Sequence, residues 1–233
     1  MRGIVYIHVP KCGGTSFGTA LRMRYAWSQA VIRPRPGPPC EDAQARAARI
    51  VREYDRRDAV LARHLAAGTR CISGHVRYDP RLQDRHPDHA FVTLLRDPVE
   101  RFVSHYHHLQ RRHPDAGRPD TLEAFLDTPD AARLGAQYLF YFARTWPGDD
   151  AEAGVPRAVA ALARFALVGS LDRPKTFRQA LARLAGGPIP PLARNRAPQG
   201  SFAPDGDLRR RIETLCAADI AIYDAARNLA AAA

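Results

Sequence analysis

The sequence predicts a three-layer α/β fold, with a central, mostly parallel sheet flanked by helices. Three observations point to it. Short apolar runs at Ile4–Ile7, Phe91–Leu95 and Phe165–Gly169 have the length and continuity of strands buried on both faces. Stretches with apolar residues at helical spacing follow each run. Glycine and proline clusters punctuate the chain, at Gly13-Gly14, Arg33 to Pro39 and Gly186 to Pro191.

The bulk numbers fit this class. A chain of 233 residues suits one domain spanning 1–233, and 45% hydrophobic residues suffice for a sizeable core. Basic residues outnumber acidic ones 35 to 24, a formal net charge of +11, and most of them are arginines. That balance favours anionic partners: nucleic acid, acidic membranes, or phosphorylated and sulfated small molecules. A solvated arginine-rich surface is the plainer reading. Cys12, Cys40, Cys71 and Cys216 form no C-x-x-C pair and fit no zinc spacing. Reduced thiols in a cytoplasmic setting are the expectation, with no metal. Met1-Arg2-Gly3 runs straight into a strand, so no signal peptide is expected, and no apolar run approaches the ~20 residues of a membrane span.

Gly3 to Val9 is the first strand. A helix starts near Thr15, with Phe17, Ala20, Leu21 and Tyr25 on one face. The proline-rich segment Arg33 to Pro39 is a surface loop. Glu41 to Ala67 reads as one or two Ala/Arg-rich helices, and Cys71 to Gly74 as a short strand stopping at His75. Asp79 to His89 reads as a loop. After the Phe91–Leu95 strand, Asp97 is placed to cap a helix, Pro98 to open it, and Glu100 sits three residues after the cap. Further helices are expected at Thr121–Leu126 and Ala131–Arg144. The Phe165–Gly169 strand leads into a helix through Phe177 and Leu184, and one last helix runs from about Asp207 to Leu229.

Two junctions carry chemistry. In His8-Val9-Pro10-Lys11-Cys12-Gly13-Gly14-Thr15-Ser16-Phe17, a glycine turn joins strand to helix. Such a turn points backbone N–H groups and the positive end of the helix dipole at one spot, a cradle for an anion. Gly13 and Gly14 let the backbone approach, Thr15 and Ser16 add hydroxyls, and Lys11 adds a charge. The layout is P-loop-like. However, an ATP-type loop places its lysine after the last glycine, and Lys11 comes before both. Cys12 at a helix N-terminus is expected to have a lowered pKa, although it reads as a tolerated variant and not a nucleophile. In Leu95-Arg96-Asp97-Pro98-Val99-Glu100-Arg101-Phe102-Val103-Ser104 an arginine ends the strand and a serine follows about two helical turns later. Arginine forks onto phosphate oxygens and serine supplies a neutral donor. The alternative for Arg96 is a surface pair with Asp97 or Glu100. Two anion sites in one small chain imply a ligand with phosphate at both ends.

Together these motifs resemble those of the PAPS-dependent sulfotransferases, most of all the branch with the heparan sulfate 2-O-sulfotransferases and related carbohydrate and bacterial enzymes. The resemblance implies that Lys11, Cys12, Gly13, Gly14, Thr15 and Ser16 hold the 5′-phosphosulfate end of PAPS, with Lys11 steadying the leaving oxygen. It implies that Arg96 and Ser104 clamp the 3′-phosphate. Gly74-His75-Val76 resembles the segment with that branch's catalytic base, here His75; Ser73 stands where the branch often has a second histidine. Arg194, Asn195 and Arg196 match, loosely, a basic loop closing over the nucleotide. The implied reaction is sulfuryl transfer to an acceptor hydroxyl, on a carbohydrate or small molecule, with PAP as product and no nucleic acid partner. The histidines His105, His107, His108 and His113 share one helix, and a solvated or acceptor-facing role is expected for them. The competing readings are an ATP-dependent kinase, which would need a Walker lysine order and a magnesium-binding Asp, and a non-catalytic basic binding protein.

Overall fold

The structure, a computed structural model, describes residues 3–35, 37, 42–112, 118–146, 148–191 and 204–232. Five parallel strands form one sheet in the order β2-β3-β1-β4-β5: β1 Gly3–Ile7, β2 Gln29–Ile32, β3 Cys71–Gly74, β4 His89–Leu95 and β5 Leu167–Ser170. The three-layer α/β class is the one the sequence implies.

Strand parity sets which side chains each face buries. Ile4, Tyr6, Cys71, Val92 and Leu94 pack with α1 (Gly14–Arg24) and α8 (Pro174–Leu184). Val5, Ile7, Ile72, Phe91 and Leu95 pack on the opposite face, against α2 (Ala43–Ala66), α7 (Ala151–Ala163) and α10 (Ala217–Ala232). The central strands β1 and β4 are buried along their whole length, as a parallel sheet covered on both faces requires. A third cluster joins α4 (Pro98–Arg112) to α5 (Leu122–Phe125), α6 (Pro129–Gly135) and α9 (Gly206–Leu215) through Phe102, Phe125, Leu134 and Ile212.

The chain runs from β1 outward to β2, back to β3, and across β1 to β4 before going outward again to β5. The direction of winding therefore reverses between β1 and β4. A crevice opens outside the carboxyl ends of strands at such a switch point, and ligands of open α/β sheets sit there. Both anion motifs lie at that switch, after β1 and after β4.

Several elements depart from the expectation. Asp79 to His89 is not a loop throughout: α3 spans Pro80–Arg85, with Asp79 capping Arg81 N and Pro80 in its first turn, and His89 begins β4. The expected Ala131–Arg144 helix breaks into α6 and a π-helical turn, Leu139–Ala143. The last helix is two, α9 and α10, divided at Cys216. Strand β2 and helix α7 were not expected from the sequence. Among the described residues no helix is long and apolar enough to cross a membrane, and Cys12, Cys71 and Cys216 are free and buried. Cys40 lies outside the described residues.

Candidate active site

The turn after β1 is built to leave a helix mouth open. Lys11 and Gly13 both adopt left-handed backbone, with φ of 68° and 73°. Glycine takes this conformation freely, whereas a lysine pays about 1–2 kcal/mol for it. Strain of this kind gathers at functional sites. Gly13 is the N-cap of α1 and offers no side-chain cap. By contrast Asp42, Thr121, Thr128, Asp150 and Asp205 cap α2, α5, α6, α7 and α9 with their side-chain oxygens. No side chain of its own N-cap fills the α1 mouth, which leaves it open to another acceptor. Gly14 is dictated by its neighbour: a Cβ there would sit 1.9 Å from the His8 ring. Thr15 lies in the first turn of α1, and half-buried Ser16 donates its amide to Gly13 O at 3.2 Å.

Cys12 faces away from this mouth. It is fully buried, and burial pushes its pKa up to about 11. This overturns the expected lowering: the thiol sits under the loop, where desolvation outweighs the helix dipole. Its sulfur lies 3.6 Å from Tyr138 Oη and 3.7 Å from the Pro10 carbonyl. Tyr138 Oη in turn donates to the Arg96 carbonyl (2.5 Å) and accepts from the Arg96 amide (2.8 Å). With the Tyr138 proton on the Arg96 carbonyl, the single thiol hydrogen is shared between the Pro10 carbonyl and the phenol oxygen. One phenol thus ties the two anion junctions together. Tyr138 is held by Asp219, which accepts from the Tyr138 amide (2.9 Å) and the Leu139 amide (3.1 Å) and pairs with fully buried Arg101 (3.2 Å).

At the second junction Asp97 Oδ1 accepts from the Glu100 amide at 2.9 Å and caps α4. The Arg96 side chain pairs with Glu100 at 3.1 Å, the alternative weighed from sequence, while its backbone is tied to the first loop through Tyr138. Its charge and that of Arg111 lower the Lys11 pKa, after burial as the main cause. Arg111, two turns along α4 from half-buried Ser104, is a cation that the sequence reading missed. Lys11, Arg96 and Arg111 thus share one neighbourhood, an arrangement that repels itself and accommodates an anion.

The candidate base lies one strand away, at the end of β3. His75 Nδ1 is 2.6 Å from the His8 carbonyl. A carbonyl only accepts, so Nδ1 carries the hydrogen and Nε2 keeps its lone pair. Burial lowers the His75 pKa to about 4, with a further push from the Arg57 charge and an opposing pull from the His8 carbonyl. Arg57, buried on α2, donates to the His75 carbonyl at 2.8 Å. The next residues are held as firmly: Arg77 N donates to Asp58 at 2.9 Å, and the Tyr78 amide to the Tyr141 carbonyl of the π-helical turn at 2.8 Å. The His8 ring stacks on His75 with centroids 4.4 Å apart and is itself held neutral by burial, then by His75 and Lys11. His8 was also missed from sequence; a lone histidine before a glycine turn carries no signal of its own.

A cleft of about 240 Å³ opens beside His75, between α1 and the ends of β2 and β3. Arg194, Asn195, Arg196 and His113 lie outside the described residues. His105 is not solvated or acceptor-facing: it is buried, with burial holding its pKa well below the usual value. The apolar packing of α4 turns its side chain inward, while His107 and His108 are half-buried. Among the described residues no group of three or more His, Cys, Asp or Glu side chains is placed to hold a metal ion.

A family model described as "Sulfotransferase family" matches residues 2–133. Human heparan-sulfate 6-O-sulfotransferase 2 is 29% identical over 141 residues, covering 52% of this chain and 22% of that protein. The Cricetulus griseus heparan-sulfate 6-O-sulfotransferase 1 is 30% identical over 121 residues, covering 46% of this chain and 28% of its own. The chain thus spans under a third of the length of these relatives, which carry 6-O names where the sequence reading leans toward the 2-O branch. A crystal structure of a sulfotransferase from Alicyclobacillus acidocaldarius shares the fold, with a TM-score of 0.51 and 18% identity over 99% of this chain and 96% of that one. The family match takes in more than half of the chain, including the glycine turn, the His75 segment and the Arg96 junction, and this chain belongs to the sulfotransferase family.

Proposed function

We propose that this chain moves a sulfuryl group from PAPS to a hydroxyl of a carbohydrate, with His75 as the base. What supports the reading is the conjunction of an uncapped helix mouth after β1, the mutually repelling cations Lys11 and Arg96 at the two junctions of the switch point, and a neutral imidazole at the end of neighbouring β3. The carbohydrate acceptor is supported by the relatives, which are named for heparan sulfate.

The residues present fit a donor with an anion at each end. PAPS, when bound, supplies the sulfuryl group and leaves as PAP. The α1 amides with Gly13, Gly14, Thr15 and Ser16 take the 5′ end, and Lys11 stabilises charge growing on the leaving oxygen. Arg96 exchanges Glu100 for the 3′-phosphate, with Ser104 on the same helix as a neutral donor. His75 Nε2 receives the acceptor's proton as its oxygen bonds to sulfur and the old S–O bond breaks. Fixing donor and base on neighbouring strand ends supplies the orientation that in-line transfer needs.

Thermal melting with PAP against ATP tests the donor assignment. At 100 times its dissociation constant PAP adds ~2.7 kcal/mol, about 5–10 °C for a chain of this size. Transfer of labelled sulfate from PAPS to a heparan-sulfate oligosaccharide tests the reaction. A melting shift with ATP and magnesium but none with PAP would sink the reading.

A further inference from the structure

The cleft beside His75 contains polar groups that the proposed chemistry leaves unused. Tyr6 Oη and Ser73 Oγ are buried and have no hydrogen-bond partner among the described residues. Both residues line the cleft, and they are 1% and 4% exposed. A buried hydroxyl left unpaired is costly, so two such residues lining one cleft point to a ligand.

The cleft is also cationic. Arg22 from α1 and Arg33 from the end of β2 line it. Arg22 is set by its own helix, where its Nη2 donates to Thr19 Oγ1 at 2.8 Å. Gly18 keeps the floor open. A Cβ there would lie 3.4 Å from Arg22 Nη1 and 3.9 Å from both Ser73 Oγ and the Tyr6 ring. One small volume is thus bordered by a guanidinium, one of the unpaired hydroxyls and the ring that carries the other. His75 lines the same cleft, and so does Gly14 of the glycine turn, which puts this volume where acceptor and donor meet.

We propose that Tyr6, Ser73 and Arg22 form a specificity subsite for one acidic group of the acceptor, a carboxylate or a sulfate, carried near the hydroxyl that His75 deprotonates. This rests on the sulfotransfer reading. A single tetrahedral or planar anion offers enough acceptor lone pairs to satisfy both hydroxyls and the guanidinium. Ser73 acquires a role here: it stands where the resembling branch often has a second histidine, and it gives the cleft a short donor in place of a ring.

The experiment uses PAP-loaded protein in calorimetric titrations with a heparan-sulfate tetrasaccharide, its carboxyl-reduced form and its desulfated form. Wild type is expected to bind the parent at least tenfold tighter than one of the two modified forms, and the weaker form identifies the anion. Tyr6→Phe, Ser73→Ala and Arg22→Gln are each expected to weaken the parent about tenfold and erase that preference, with the PAP melting shift intact. Tyr6→Phe and Ser73→Ala remove unpaired hydroxyls, so their melting temperatures should hold or rise. Equal binding of all three sugars by wild type, no binding of any, or variants that keep the preference would each overturn the subsite. Loss of the PAP shift in wild type would instead strike the donor assignment beneath it.

Discussion

The two strand-to-helix junctions of the switch point solve the same electrostatic task in opposite ways. After β1, the chain leaves α1 uncapped and strains Lys11 into left-handed backbone, so backbone amides are presented. After β4, Asp97 fills the helix mouth and the charge is presented by a side chain, Arg96. A backbone cradle is rigid and aimed at one spot, which suits charge that develops during reaction. An arginine paired with Glu100 is movable and suits an anion that only has to be held. The first junction should therefore govern turnover and the second affinity, with Tyr138 keeping the two in register.

The largest effect should come from outside both junctions and set the scale. His75→Ala is expected to lower turnover by roughly 10²–10⁴ while the melting shift with PAP stays as in wild type. A variant with full turnover on a verified acceptor would remove His75 as base. The pH profile sharpens this. With its pKa lowered to about 4, His75 is neutral at neutral pH, so kcat should stay flat on acidification and fall only as pH approaches 4. An acid limb centred near 6.5 would mean that the imidazole is not held as described. The same shift bears on stability. Between pH 6.5 and 4 the unfolded chain binds a proton at this position that the folded chain does not, so acidification across that window destabilises the fold.

Lys11→Ala comes next, with turnover at saturating donor down roughly 10²–10³. Arg96→Ala should differ in kind. It is expected to weaken PAP by about 10- to 100-fold, read by titration, with turnover at saturating donor within a few-fold of wild type. If the two substitutions produced the same split between turnover and affinity, the contrast between backbone cradle and side-chain clamp would fail.

The contrast also explains what could be read from the sequence. Gly13-Gly14 and Asp97-Pro98 are local signals, set by residues within a few positions, and both junctions, β1, β4 and α4 were legible from them. Strand β2 is a four-residue edge strand that alternates exposed and buried, and its Gln29-Ala30 start carries little strand character. Helix α7 holds Gly154 and Pro156, which read as breakers, yet Gly154 is where Leu139 packs close, 2.7 Å from a built Cβ. The π-helical turn owes its start to Asp219, some eighty positions away, taking the amides of Tyr138 and Leu139. The same distance hides Tyr138 as the tie between Cys12 and Arg96. Tyr6, His8 and Arg22 become site residues only once the strand order places β1, β3 and α1 around one cleft.

The smallest expected effect isolates the role of the second junction's cap. Asp97→Ala removes the side chain that occupies the α4 mouth and should cost about 1 kcal/mol of stability, a melting decrease of about 2–4 °C. Arg96 keeps its place through Tyr138, which holds both its amide and its carbonyl. PAP affinity should therefore change by no more than a few-fold. The freed α4 amides could otherwise act as a second backbone cradle. If Asp97→Ala bound PAP much more tightly, a backbone mouth would have replaced a side-chain clamp, and the division of labour between the junctions would belong to their caps and not to Lys11 and Arg96.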